Sequence, residues 1–148
     1  IQKVSIPIQV SKISQSSFAD CYKLKTVTFD DNYEISLIDE KAFYNTSIER
    51  ISIPIHVIKI GDSAFYDCKK LKIAEIIKNS ELTFIGPKVF SGSAIESFLI
   101  SSCVSSIGKN AFSRCWNLSA VEIDSHFELN LDDQKVFEST DIKAISKN

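Results

Sequence analysis

Residues 48–68 read IERISIPIHVIKIGDSAFYDC, and this pattern recurs along the chain in the same register. Three segments share it, and their starts at Ile1, Ile48 and Ile95 lie 47 residues apart. A further 47 residues lead to Ile142, where IKAIS begins another copy. Self-similarity at a fixed period is the signature of a repeat architecture, so the chain is predicted to be a stack of structural repeats.

A shorter unit lies within the 47-residue period. Three further segments of 24 residues begin at Leu24, Leu71 and Leu118, and each carries one extra residue before its middle. We therefore expect a single domain, residues 1–148, that is a fragment of a longer array. Its coils of 23 or 24 residues are predicted at 1–23, 24–47, 48–70, 71–94, 95–117 and 118–141, with a partial coil at 142–148.

The first part of every coil alternates apolar and polar residues, as a strand with one buried face does. Stacked coils place equivalent strands side by side in a parallel sheet, because each crossover is long enough to return the chain in the same direction. The apolar pairs predicted to point inward are Val4 and Ile6, Val27 and Phe29, Ile51 and Ile53, Ala74 and Ile76, Phe98 and Ile100, and Val121 and Ile123.

A second apolar stretch follows in the first five coils, at Val10 and Ile13, Leu37 and Ile38, Val57 and Ile60, Phe84 and Ile85, and Val104 and Ile107. The position after this stretch always holds a residue type that favours helix N-caps, so a short helical turn is predicted there. These residues are Ser14, Asp39, Gly61, Gly86, Gly108 and Asp133.

A phenylalanine follows four residues after each of these positions, and stacking would align the rings into an internal column. The six are Phe18, Phe43, Phe65, Phe90, Phe112 and Phe137. Asp132 stands where the other coils have an aliphatic residue, which is predicted to loosen the sixth coil.

Together these residues resemble the BspA-type leucine-rich repeat, whose unit reads L-x-x-[IV]-x-[IL]-P-x-x-[VL]-x-x-I-G-x-x-A-F-x-x-C. Coil 48–70 matches it almost throughout, and the 24-residue coils keep the leucine, the strand and the phenylalanine. The resemblance implies a leucine-rich-repeat solenoid, mainly β with short helical turns, whose parallel sheet lies on the concave face. It also implies a surface or secreted microbial protein that binds host matrix or cell-surface proteins and is not an enzyme.

Composition argues against several other classes of function. The net charge is −2, whereas nucleic-acid binding needs a basic face. No apolar run approaches the roughly 20 residues that span a bilayer. The chain has two histidines, no C-x-x-C pair and no calcium-loop pattern, so no catalytic residue, cofactor or metal is predicted.

The cysteines follow the repeat. Cys21, Cys68 and Cys115 occupy one position in every second coil. Such coils lie two layers apart, which is about 10 Å at the spacing of neighbouring strands, whereas a disulfide needs Cα atoms within about 7 Å. These three residues are therefore predicted to be small buried apolar side chains without disulfide partners, and Cys103 to be partly exposed.

The outward residues of the first strands form the predicted partner site, because equivalent positions align into ladders across the sheet. The candidates are Lys3, Thr28, Arg50, Ile73, Glu75, Leu99 and Glu122. Ile73 and Leu99 are expected to form an exposed apolar patch, which can mark a partner site. Two alternatives stay open: these residue types also suit a strand with no ligand, and the repeats could serve as a structural spacer or as a stalk that self-associates through uncapped ends.

Overall fold

The computed structural model describes residues 1–29, 34–124 and 135–147. Over these residues the chain winds into stacked coils whose strands all pair in parallel with those of neighbouring coils. The predicted β-solenoid of about six coils is confirmed. Asp132 and Asp133 lie outside the described residues, as does the predicted loosening of the sixth coil.

Most coils contribute a four-residue strand followed by a two-residue strand. The four-residue strands are β1 (Lys3–Ile6), β3 (Thr26–Phe29), β5 (Arg50–Ile53), β7 (Ile73–Ile76), β9 (Ser97–Ile100), β11 (Ala120–Ile123) and β12 (Ala144–Lys147). The two-residue strands are β2 (Lys12–Ile13), β4 (Leu37–Ile38), β6 (Lys59–Ile60), β8 (Phe84–Ile85) and β10 (Ser106–Ile107).

The strands form three sheets. The longer strands make one sheet in the order β1-β3-β5-β7 and a second in the order β12-β11-β9, while the shorter strands form a single sheet from β2 to β10. The register is that of the repeat, with Lys3 opposite Thr26 and Arg50 opposite Ile73. The longer strands are therefore divided between β7 and β9.

The core fills the space between the sheets with the predicted inward residues. The leading leucines Leu24, Leu71 and Leu118 are buried, as are both inward residues of β5, β9 and β11. The six phenylalanine rings stack in a continuous column, with neighbouring centroids 5.2 to 5.5 Å apart. Burial of this column stabilises coil-to-coil stacking, since each ring contacts the rings on either side of it.

In two coils, one of the two residues named for the second apolar stretch is not part of the core. Leu37 and Phe84 are only half-buried, whereas Ile35 and Leu82 are buried three residues before Ile38 and Ile85. The same spacing of three separates Val57 from Ile60 and Val104 from Ile107. The extra residue of the 24-residue coils therefore lies before this stretch and leaves its spacing unchanged.

The predicted short helical turns are also wrong, because no helix occurs within the described ranges. Each turn instead has two residues with positive φ, namely Ser16 and Asp20, Lys41 and Asn45, Ser63 and Asp67, Lys88 and Gly92, Asn110 and Arg114, and Lys135 and Ser139. Backbone N–H groups then point to the next coil, as from Phe43 to the carbonyl of Ala64 over 2.8 Å. These turns form a third wall of the solenoid, which we call the turn wall.

The glycines at the start of the turns serve close packing and not helix capping. A Cβ atom on Gly108 would lie 2.3 Å from the backbone nitrogen of Pro87 in the preceding coil. Real Cβ atoms do not approach backbone atoms that closely. The fourth and fifth coils can therefore lie at their observed separation only because residue 108 has no side chain. The N-cap preference of glycine suggested the wrong physical role for this position.

Candidate partner-binding surface on the strand face

The strand face consists of the outward residues of β1, β3, β5, β7, β9 and β11. Its side chains alternate with the buried ones, as the period of two requires. Within each sheet they align as predicted, with Ser52 opposite Glu75 and Leu99 opposite Glu122. The seven predicted site residues all belong to this face.

Five of those seven residues line one depression of about 380 Å³. They are Arg50, Ile73, Glu75, Leu99 and Glu122. The other two, Lys3 and Thr28, are exposed on β1 and β3 and do not line it. The structure thus concentrates the predicted surface on the strands from β5 to β11.

The depression lies where the longer strands are divided between β7 and β9. Both strands contact each other, and the backbone N–H of Glu96 still donates to the carbonyl of Lys72 over 3.3 Å, but they are not joined in one ladder. Beneath the surface, Ala74 is the smallest inward residue at its position, while the neighbouring Phe98 ring tilts against Phe112 at 4.7 Å. A small core residue beside a large one shapes the floor of the depression.

The side chains around the depression combine aliphatic and charged groups. Ile73 is 39% exposed and Leu99 is 44% exposed, although both are large and apolar. The carboxylates of Glu75 and Glu122 flank them, and the Ser52 hydroxyl donates to Glu75 over 3.2 Å. Such a surface can accept an apolar side chain while its carboxylates face basic groups of a partner.

One histidine–carboxylate pair lies outside the strand face. His56 pairs with Glu81 at 2.8 Å, where both side chains are about half exposed. No three residues among the described His, Cys, Asp and Glu lie close enough together to hold a metal ion. The described part of the chain also contains no helix that is long and apolar enough to cross a membrane.

Buried thiols occur at two of the repeat positions that the sequence singled out. Cys68 and Cys115 are buried, whereas Cys21 and Cys103 are exposed, and all four are free. Burial raises the pKa of the Cys68 thiol to about 11 and also raises that of Cys115. The prediction of a buried residue holds for two of the three aligned cysteines and is wrong for Cys21 in the first coil.

Comparison with known families agrees with the repeat architecture of the chain. A sequence profile of the BspA type leucine-rich repeat region matches residues 1–72 and 36–147, with six copies. The chain belongs to the BspA-type leucine-rich repeat family. Leucine-rich repeats of this kind generally serve as non-catalytic scaffolds, and they generally mediate protein interactions. Among curated protein sequences, no significant match was found.

Solved structures share the fold of this BspA-type chain. The pneumococcal vaccine antigen PcpA is 28% identical with a TM-score of 0.80, over 84% of this chain and 31% of that one. A leucine-rich cell surface protein from Faecalibacterium prausnitzii is 28% identical with a TM-score of 0.55, over 86% of this chain and 36% of that one. The leucine-rich repeat protein of T. pallidum, 22% identical, has a TM-score of 0.75 over 99% of this chain and 72% of its own.

The BspA-type chain thus corresponds to about a third of the length of the first two of these proteins. Sequence reasoning found the family, the coils and the strand face. It missed the break in the sheet between β7 and β9, because no local sequence pattern indicates it. It also missed Trp116, the single tryptophan of the chain, which is 66% exposed on the turn wall.

Proposed function

We propose that this chain is a non-catalytic protein-binding module of a microbial surface or secreted protein. The observation that carries the proposal is the depression on the strand face, which five predicted site residues line, two of them exposed aliphatic side chains. The pneumococcal antigen and the cell surface protein of Faecalibacterium prausnitzii, two structural relatives, support the location. The partner is a host matrix or cell-surface protein.

The chemistry of the depression defines what the partner must offer. Ile73 and Leu99 lie on neighbouring strands and form an apolar centre, which an aliphatic or aromatic anchor of the partner would cover. Glu75 and Glu122 carry negative charge at the rim, where lysine or arginine side chains would pair with them. The expected partner surface is therefore an apolar anchor with basic residues where it meets Glu75 and Glu122 and an acidic residue where it meets Arg50.

Binding to purified fibronectin, laminin and collagen tests the proposal, with the chain immobilised and each protein passed over it. Replacing Ile73 or Leu99 by serine removes the apolar centre, and we expect the affinity to fall about tenfold for each change. Unfolding stability should change by less than about 0.5 kcal/mol, because both side chains point to solvent.

Ile58→Ser is the matched control for these variants. Ile58 is 49% exposed, so its replacement removes a similar apolar side chain away from the strand face. We expect it to bind as the parent does. If Ile58→Ser weakens binding as much as Ile73→Ser, or if the parent captures none of the matrix proteins, the proposed site and partner class are wrong.

A second candidate function is a structural spacer or stalk that associates end to end. The continuous stack of phenylalanine rings supports it, because coils that repeat in one register add length in one direction. Sedimentation velocity over a range of concentrations distinguishes the two functions. Association that grows with concentration would favour the stalk, whereas a monomer that captures a matrix protein would favour the binding module.

A further inference from the structure

A second depression lies on the turn wall, outside the strand face and its proposed function. It measures about 350 Å³, and Trp116 and Arg114 of the fifth coil line it on one side. Asp67 and Lys69 of the third coil line the opposite side. The fourth coil, between them, forms the floor with Gly92, Ser93 and Ala94.

The depression exists because the fourth coil carries small residues where its neighbours carry large ones. Gly92 has a φ of +74°. At the same turn position, also with positive φ, the second, third and fifth coils carry the larger residues Asn45, Asp67 and Arg114. Without a side chain at this position, the Asp67 carboxylate lies over Gly92, with its Oδ1 2.3 Å from where a Cβ atom would be, and the rest of the space between the third and fifth coils stays open. In the second coil, the equivalent Asn45 occupies the corresponding space between the first and third coils, and its amide donates to Asp20 over 2.8 Å.

The sides of the depression carry one apolar platform and several polar groups. The Trp116 indole is 66% exposed, which is unusual for so large an apolar side chain. Arg114 reaches back across the fourth coil, with its guanidinium 3.8 Å from the Asp67 carboxylate and 5.3 Å from the centre of the Tyr66 ring. These contacts link the fifth coil to the third and hold the Arg114 guanidinium at the edge of the recess.

These groups match the chemistry of a sugar ring. A pyranose has an apolar C–H face that packs on an indole, and hydroxyl groups that need donors and acceptors side by side. The Asp67 carboxylate accepts, the N–H groups of Arg114 that do not donate to the Tyr66 hydroxyl are donors, and the amide of Asn117 is both donor and acceptor. The opposite charges of Asp67 and Arg114 lie close together and compensate each other, so the recess carries only the single net positive charge of Lys69. A field this weak does not require an anionic ligand and leaves the recess open to a neutral one.

We infer that this depression, the turn-wall site, binds a neutral saccharide that stacks on Trp116. The adjoining recess of about 320 Å³ lies on the other side of Arg114, between Tyr66 and Glu138, and extends the site for a second sugar unit. Its floor is formed by Ser91 and Ser113, whose hydroxyls bond to each other at 2.9 Å. The ligand is thus a short oligosaccharide that runs along the turn wall across Arg114.

The repeat supplies a matched control. Tyr22 occupies the same repeat position as Trp116, two 47-residue periods earlier, and is 64% exposed. Tyr22 belongs to the first coil and does not line the depression, which residues of the third, fourth and fifth coils form. An exposed aromatic ring is therefore present at both places, but only Trp116 lines the turn-wall site.

Asn117-Leu118-Ser119 is an N-glycosylation sequon, so the test uses the chain from a bacterial host, which leaves Asn117 unmodified. The protein is applied to an array of neutral microbial and mammalian glycans. Disaccharides that bind on the array are then titrated against the protein while its tryptophan fluorescence is measured. The fluorescence reports on the site directly because Trp116 is the only tryptophan. We expect saturable binding in the millimolar range or tighter. Trp116→Ala should weaken binding on the array about tenfold, and Tyr22→Ala should leave it unchanged.

Gly92→Asn gives a second variant that keeps the fluorescent residue. A Cβ atom there would lie 2.3 Å from Oδ1 of Asp67, at the end of a flexible side chain that can move aside. Asparagine tolerates positive φ, and the new amide would fill the recess as Asn45 does in the second coil. We expect a folded protein that has lost saccharide binding.

Three results would overturn the inference. They are no glycan bound by the parent chain, equal losses for Trp116→Ala and Tyr22→Ala, and full binding by folded Gly92→Asn. The strand-face variants Ile73→Ser and Leu99→Ser should bind the same glycans as the parent, so the two sites can fail separately.

Discussion

The thiol of Cys68 donates a hydrogen bond to the backbone carbonyl of Phe43 in the preceding coil, over 3.1 Å. Cys115 makes the same contact with Phe90 over 3.0 Å, 47 residues further along the chain. Each thiol also lies against a hydroxyl group, that of Thr46 for Cys68 and that of Ser93 for Cys115. The cysteines therefore act as small hydrogen-bonded core residues between coils.

Thiol reactivity should separate the four cysteines into two classes. Cys21 and Cys103 are exposed, whereas Cys68 and Cys115 are buried with raised pKa values and remain protonated at neutral pH. We expect an aromatic disulfide reagent to titrate two thiols rapidly in the native protein and all four after denaturation. Four fast thiols in the native state would contradict the buried hydrogen bonds described above.

Stability should fall in alkaline solution because of the same burial. The pKa of Cys68 rises from its ordinary 9.0 to about 11, so between these values the native thiol keeps a proton that the unfolded chain has lost. The contribution is present in full below pH 9 and disappears as pH rises through 11, a loss of roughly 3 kcal/mol. Urea unfolding across this range measures it.

Cys68→Ala is the control for that experiment. The variant lacks the titrating thiol, so its free energy of unfolding should decline less steeply over the same pH range. Equal slopes for parent and variant would show that other groups cause the loss.

The phenylalanine column should contribute unequally along its length. Phe65 is fully buried between the rings of Phe43 and Phe90, whose centroids lie 5.2 and 5.5 Å away. Phe65→Ala leaves a cavity in the middle of the stack and should cost about 3–5 kcal/mol of unfolding free energy in urea denaturation. Phe18→Ala removes a half-buried ring of the first coil and should cost clearly less, whereas equal losses would argue against a continuous column.

Close packing of the coils predicts a penalty at Gly108. An added Cβ atom would lie 2.3 Å from the nitrogen of Pro87 and 2.6 Å from the carbonyl carbon of Gly86, both of them backbone atoms. Gly108→Ala should therefore destabilise the protein by about 1–3 kcal/mol in thermal or urea unfolding. The matched change Ser14→Ala, at the same repeat position in the exposed first coil, should stay within about 0.5 kcal/mol.

Much of the fold could be predicted because the repeat samples each position several times. One phenylalanine would say little, but a phenylalanine at the same place in every coil predicted the column that the structure contains. The turn was predicted wrongly because its residue types favour both a helix N-cap and a tight positive-φ turn. The choice between them depends on hydrogen bonds to the next coil, such as that from Phe65 to Val89 over 2.9 Å.

The sequence by itself determined the coils, the inward and outward sides of the strands, and the family, because these follow from period and alternation along the chain. Only the tertiary structure decided where depressions form on the surface. The strand-face depression depends on how β7 and β9 meet, and the turn-wall site on Gly92 lying between Asp67 and Arg114. These relationships join residues of different coils, and their geometry is set by side-chain volumes across the stack, which a repeat pattern leaves unspecified.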